Sequence, residues 1–282
     1  ALIDKMIESS WKGEEVLITG GLGFIGSNLA HRLVNQGANV TILSHSDKNI
    51  NNVKEIRNKL EINYGDIRDK EQMEQIVKNK KYIFHFAAQI NHLLSMENPY
   101  LDIDINCNGT ITLLESCRKY NPEATIVSTG TVGQAGRVNT LPANESEQDN
   151  PLSIYEADKL ICEKYLQLYF RVYGLKTTTL RFANVFGERQ QVKDPTRGVL
   201  NNMVKRAMTG ETITVYGEGK FIRDYCYIDN YLDACILAAK SDKTKGEFYI
   251  IGSGTGLQFK EMVEKVNDTV RELTGKSTKI VN

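Results

Sequence analysis

The 282-residue chain has no apolar run of 18 residues, no Cys-x-x-Cys pair, no internal repeat, no heptad run and no net charge. Without a long apolar run there is no candidate membrane helix, and the first twelve residues show neither the apolar core nor the cleavage site of a signal peptide. A soluble, cytoplasmic protein is the expectation. Five scattered cysteines (Cys107, Cys117, Cys162, Cys226, Cys235) and four dispersed histidines suit reduced thiols rather than disulfides, and give no metal-ligand spacing. The balance of 35 Lys plus Arg against 35 Asp plus Glu leaves no global field to recruit nucleic acid or an anionic membrane. Apolar residues at 41% and charged residues at 25% exclude a disordered or collagen-like chain, and the length allows one to two domains with a large core.

What is present is an alternation of strands and helices. A short helix is expected before residue 15, then a buried strand, Glu15-Val-Leu-Ile-Thr19, a glycine turn, a helix at 27–36 ended by Gly37, and a strand at 38–43. Further strands are expected at 59–64, 81–87, 124–129 and 176–182, with helices at 69–79, 102–120 and 153–173 between them. Such spacing requires crossover connections. The fold class is therefore α/β, a doubly wound, mostly parallel Rossmann-like sheet covered on both faces. Beyond residue 182 the pattern loosens into short strands such as 212–216 and helices near 198–208 and 259–273. This predicts a dinucleotide-binding domain over 13–181 with a return segment at 223–250, and a smaller interleaved lobe from 182–222 and 251–282. Residues 1–172 carry four more acidic than basic side chains and residues 173–282 the reverse, so the second half is the better setting for an anionic ligand.

The turn Gly20-Gly21-Leu22-Gly23-Phe24-Ile25-Gly26 lies between strand and helix, where small residues let the N–H groups of Gly20, Gly23, Phe24, Ile25 and Gly26 approach a pyrophosphate. The end of the second strand, where an NAD-preferring site places an acid against the ribose, carries Ser44-His45-Ser46 instead. Ser44 and His45 border that position, Lys48 can attract a 2′-phosphate, and Asp47 is a substitute acid. NAD and NADP both remain open. Asp66, before Ile67, can accept from an adenine amino group or cap a turn. Tyr155 and Lys159 stand four apart on one helix face, and a neighbouring ammonium favours the phenolate, so Tyr155 can work as an acid or base below its usual pKa of about 10. Thr129, at the end of the preceding strand, can hydrogen-bond a reacting hydroxyl.

These pieces, with His85-Phe-Ala-Ala88, Asn106-x-x-Gly109-Thr110, Arg181-x-x-Asn184-Val-Phe-Gly187 and Arg223-Asp-Tyr225, resemble an extended short-chain dehydrogenase/reductase of the nucleotide-sugar epimerase/dehydratase family. The resemblance implies Thr129, Tyr155 and Lys159 as the catalytic set, with Lys159 also on the nicotinamide ribose. It places Ala87 and Ala88 beside the cofactor and Asn106 in support of Lys159. It implies Asn184 and Arg223 at a sugar-nucleotide diphosphate, with Thr214 and Tyr216 near the base. It also implies a homodimer through the helices 102–120 and 153–173.

An acid-base pair after the threonine, as in the family's 4,6-dehydratases, is absent at Gly130-Thr131, and so is the decarboxylases' glutamate at Thr131. Epimerisation through a transient 4-keto sugar is the leading expectation, NADPH-dependent reduction of a keto sugar the alternative, and dehydration or decarboxylation follow. A catalytically silent nucleotide-sugar or NADP sensor is the reading from a different class. The chain departs from the family at Val132-Gly133-Gln134-Ala135-Gly136, where an aromatic residue is usual and where the glycines suggest a mobile loop. The smaller lobe is expected to lack its C-terminal end.

Overall fold

The structure is a computed structural model that describes residues 11–192 and 198–281. The short helix expected at the N-terminus falls mostly outside the described residues. Among those residues the chain divides into two compact units. One runs to Phe182 and takes in Leu232–Ile251; the other holds Ala183–Tyr231 and the chain from Gly252 onward.

The larger unit is built on β1 (Glu15–Thr19), α1 (Phe24–Asn35), β2 (Asn39–Ser44), a 3₁₀ segment (Ile50–Lys59), β3 (Leu60–Tyr64), α2 (Lys70–Ile76) and β4 (Tyr82–His85). It continues with α3 (His92–Glu97), α4 (Pro99–Ile103), a π turn (Asp104–Asn108), α5 (Gly109–Tyr120), β5 (Thr125–Thr131), α6 (Ile154–Tyr173) and β6 (Lys176–Phe182). In the smaller unit β7 (Asn184–Phe186), α7 (Val199–Thr209), β8 (Ile213–Thr214) and β9 (Ile222–Tyr227) come first. Most of helix α8 (Ile228–Lys240) and β10 (Phe248–Ile251) belong to the larger unit again, and β11 (Gly256–Gln258), α9 (Phe259–Thr274) and β12 (Ile280–Val281) complete the smaller one.

Seven strands form one parallel sheet in the order β10-β6-β5-β4-β1-β2-β3. The order reverses between β1 and β4, and open α/β sheets bind ligands beyond the carboxyl ends of strands at such a reversal. Leu17, Ile83 and Ile126 on the strands meet Leu113, Leu114 and Leu166 on the helices in one buried cluster, where truncation of a leucine to alanine costs about 2–5 kcal/mol. No described helix is long and apolar enough to cross a membrane.

Three expectations need correction. The helix expected over 102–120 starts earlier and is not uniformly α: Asn98 caps its start at Pro99, and a π turn at Asp104–Asn108 widens the ladder before α5. The extra residue in that turn places Asn106 and Cys107 in the interior. The segment that returns to the larger unit is Leu232–Ile251, shorter than 223–250, because Ile222–Tyr227 pairs with β7 and β11 in a separate three-stranded sheet. The smaller unit has its own core, with Ile213, Val215, Phe259, Met262 and Val263 packed together. The loop after β5 is anchored rather than loose: Gln134 is fully buried, its Oε1 accepts the Thr131 N–H at 2.9 Å and its Nε2 donates to Glu163 at 3.0 Å.

Candidate active site

The glycine turn follows β1 directly. Gly20 holds φ +67°, and a Cβ there would lie 2.8 Å from the backbone N of Ala87. Only glycine therefore lets the turn come this close to the chain leaving β4. A Cβ on Gly26 would lie 2.6 Å from the Gly20 carbonyl, which seals helix against strand. Gly23 differs, since a Cβ there would meet only the Gly20 oxygen at 3.1 Å and otherwise open space. Helix α1 starts on Gly23 with no side-chain cap and no acidic residue in its first turn. Uncapped N–H groups under an open surface fit a pyrophosphate.

The strand ends are locked by a chain of buried hydroxyls that the sequence reading missed. Thr19 Oγ1 accepts the N–H groups of Phe86 and Ala87 at 3.1 and 3.2 Å, so its proton points to His85 Nδ1, 2.8 Å away. His85 Nε2 then donates to Thr110 Oγ1 at 3.0 Å. Burial, with the Lys159 charge adding to it, pushes His85 down to about 3, so the ring is neutral at physiological pH. A threonine and a histidine at adjoining strand ends were the available signal.

Around the adenosine positions, Ser44 is buried at the end of β2 and donates to the Ser46 carbonyl at 2.8 Å, while His45 and Lys48 are exposed. No carboxylate stands at Ser44. Asp66 takes the turn-capping arrangement: it accepts from the Arg68 backbone N–H at 2.9 Å and from its guanidinium at 2.6 and 2.9 Å, and this pairing lowers its pKa. Ile67, beside it, is in the core.

Helix α6 begins on Ser153, whose hydroxyl caps the Glu156 N–H, and so fixes the register that puts Tyr155 and Lys159 on one face. Lys159 is buried and donates to Thr129 Oγ1 on β5 at 3.4 Å, and Tyr155 lies one helical turn before Lys159 on α6. Desolvation lowers the Lys159 pKa, opposed by nearby acids and thiols. Tyr155 is half-buried; its N–H donates to Ser95 Oγ at 3.1 Å, and the His92 ring lies 4.7 Å from its ring at 60°. Asn106 is buried against Gln89, accepting its N–H at 2.9 Å and donating to its carbonyl at 3.0 Å, and its own carbonyl accepts from the Cys162 thiol one turn beyond Lys159.

The departure at Gly133 has a structural counterpart. A Cβ on Gly133 would lie 2.5 Å from Glu156 Oε1, so the side chain next to Tyr155 fills the space left by the missing aromatic. At Gly130 a Cβ would meet Gln134 Oε1 at 2.5 Å and Arg181 Cγ at 3.0 Å, which leaves no room for an acid.

Within the smaller unit, Asn184, Tyr216, Phe221, Arg223 and Tyr225 line a cavity of about 420 Å³. Arg223 lies over the Phe221 ring at 5.2 Å, while Asp224 accepts instead from Ser253 and Gly254. Arg223 Nη1 donates to the Ile222 carbonyl at 2.9 Å, and the guanidinium has further donors for a ligand of the cavity that the residue lines. Thr214 is not among the lining residues; it pairs with Val281 in the β8/β12 ribbon.

A seven-stranded parallel sheet with a glycine turn at its reversal and a Tyr-Lys pair beside it defines a Rossmann-type nucleotide-dependent enzyme class. The chain belongs to the NAD dependent epimerase/dehydratase family, which it matches over residues 16–252. It is similar to the UDP-glucose 4-epimerase of Thermotoga maritima solved with UDP-glucose (TM-score 0.85, 31% identity, covering 95% of this chain and 85% of that one). It is also similar to the Thermus thermophilus UDP-glucose 4-epimerase solved with NAD (TM-score 0.80, 32% identity, 94% and 85% covered). A UDP-N-acetyl-alpha-D-glucosaminuronate decarboxylase of Bacillus cytotoxicus is 33% identical over 94% of this chain and 82% of its own length.

Proposed function

We propose that this protein is a nucleotide-sugar epimerase that works through a transient 4-keto sugar. The observation that carries the reading is the hydrogen bond from buried Lys159, one turn after Tyr155 on α6, to Thr129 on β5, with no acid at positions 130 and 131. Tyr155 takes the proton of the sugar 4-hydroxyl and later returns it, Lys159 stabilises the phenolate by its charge, and Thr129 orients the hydroxyl. NAD or NADP, when bound, would supply a reversible hydride acceptor for the sugar carbon. Gly20, Gly23, Phe24, Ile25 and Gly26 would hold its pyrophosphate, Ser44, His45, Lys48, Asp66 and Ile67 would border the adenosine, and Ala87, Ala88 and Asn106 the nicotinamide side.

Asn184 and Arg223 would hold the diphosphate of the substrate and Tyr216 would lie by its base, with Thr214 outside the residues that line the cavity. Elimination of water or of carbon dioxide would need an acid after Thr129, and the crowding at Gly130 works against it. A second reading, reduction of a keto sugar by NADPH, is favoured by the missing carboxylate at Ser44. The enzyme would work in the cytoplasm as a homodimer. Ile103, Ile161, Leu168 and Val172 are exposed apolar side chains along the expected pairing helices.

Purified protein incubated with UDP-sugars separates the readings. Interconversion of 4-epimers without added cofactor supports the epimerase; stoichiometric loss of NADPH with a keto sugar replaces it by the reductase.

A further inference from the structure

Two carboxyl groups with no role in the scheme above meet inside the larger unit, next to Lys159. Asp102 on α4 is 0% exposed and Asp158 on α6 is 3% exposed, and their carboxyls lie within hydrogen-bonding distance of each other. Two ionised carboxylates cannot share such a contact without a proton, because each is an acceptor only.

The donors around the pair decide which one holds that proton. Asp102 is supplied on both oxygens: Gln89 Nε2 donates to Oδ1, and Asn106 Nδ2 donates to Oδ2 at 3.1 Å. Asp158 Oδ2 is buried and no donor reaches it. The Cys107 thiol, a weak donor, is the group that favours its ionised form. Two amide N–H groups stabilise charge on Asp102, while an orphaned oxygen penalises charge on Asp158.

We propose that Asp158 is protonated in the folded protein and donates its proton to Asp102, so that the pair holds one negative charge, the counter-charge of the buried Lys159 ammonium. Burial, reinforced by the contact with Asp102, pushes Asp158 up to about 7. Lys159 is lowered by desolvation and raised by Cys162, Cys107, Asp102 and Glu163. His85 and Tyr165 also face the cluster, and Asp102 is the carboxylate that the Gln89-Asn106 frame holds fixed. Asp102 and Asp158 act through Lys159 and are positioning residues. The functional consequence rests on the reading of Lys159 and Tyr155 as the acid/base pair; the proton assignment does not.

Infrared difference spectra of wild type minus Asp158→Asn test the assignment without turnover. At about pH 6 the wild type should show the carbonyl stretch of a protonated carboxylic acid, fading as pH is raised through about 7. Absence of that band at about pH 6 overturns the proposal.

Thermal melts give a second arm. A carboxyl whose folded pKa is raised from 3.8 to about 7 leaves the wild type progressively less stable as pH climbs between those values and level above them. Asparagine does not titrate, so the Tm of Asp158→Asn relative to wild type should rise across that range by more than about 3 °C. A constant difference overturns the proposal. In the kinetic arm, Asp102→Asn should lower kcat about tenfold or more with KM within about threefold, and more than Asp158→Asn does; the reverse order overturns it. Should Asp102→Asn fail to fold, the infrared and melting arms still decide. Tyr155→Phe should abolish turnover and keep the infrared band; an active Tyr155→Phe removes the acid/base reading and leaves the proton assignment standing.

Discussion

Arg181→Met should be among the most destabilising single substitutions in this protein, although Arg181 takes no part in the chemistry. Arg181 is 1% exposed and pairs with Glu163, itself 1% exposed, through Nε at 2.7 Å and Nη2 at 2.8 Å. Its Nη1 reaches Asp149 at 2.7 Å and its guanidinium covers the Phe248 ring at 4.1 Å. Removing the guanidinium leaves the Glu163 carboxylate buried with Gln134 and the half-exposed Lys164 as its remaining donors.

Breaking a buried pair from one side costs about 3–5 kcal/mol, because the surviving charge stays desolvated. At about 2–4 °C per kcal/mol for a chain of this size, Tm should fall by about ten degrees. Replacing both partners by apolar residues is close to neutral in such sites, so Arg181→Met with Glu163→Leu should recover most of the loss. Asp149, partly exposed, can return to water. Thermal and urea melts followed by circular dichroism measure both variants. A single variant within about 1 kcal/mol of wild type, or a double variant less stable than the single one, would mean that the Arg181–Glu163 pair does not hold a buried charge in place.

Three further outcomes are expected. Gly20→Ala should weaken NAD or NADP binding about tenfold or more in a fluorescence titration, since the new Cβ meets the Ala87 backbone at a residue with φ +67°; unchanged affinity contradicts the cradle. Ser44→Asp should move cofactor preference toward NAD by about tenfold or more, measured as the ratio of the two dissociation constants, and no shift would mean that Ser44 does not border the ribose. Gly133→Tyr should cost about 1–3 kcal/mol by overpacking against Glu156, and adding Glu156→Ala should make the tyrosine less costly than it is in the wild-type background; an unchanged cost contradicts the exchange of volume between the two positions.

Much of the fold was legible because strand and helix periods are strong signals over long segments. The runs at 15–19 and 176–182 are buried on both faces and read as continuous apolar or β-branched strands, and the structure places β1 and β6 there. The π turn at Asp104–Asn108 was not legible, since a one-residue insertion into a helical ladder changes no hydrophobic period. Nor was the pairing of Ile222–Tyr227 with the smaller unit, a non-local choice among short strands that sequence leaves open.

In the site, Tyr155, Lys159 and the glycines were readable because spacing alone dictates their geometry. The Thr19-His85-Thr110 chain and the Asp102-Asp158 pair were not, because each joins residues far apart in sequence whose chemistry appears only on burial. The loop after β5 misled in the same way. Its glycines suggested motion, and a buried glutamine between them holds it in place.

In the proposed reaction Tyr155 moves the proton during epimerisation. Tyr155→Phe, assayed on a UDP-sugar alongside wild type with cofactor binding followed by fluorescence, tests it most directly. Turnover should fall by about a thousandfold or more while cofactor affinity stays within about threefold. Turnover at the wild-type rate would contradict the account.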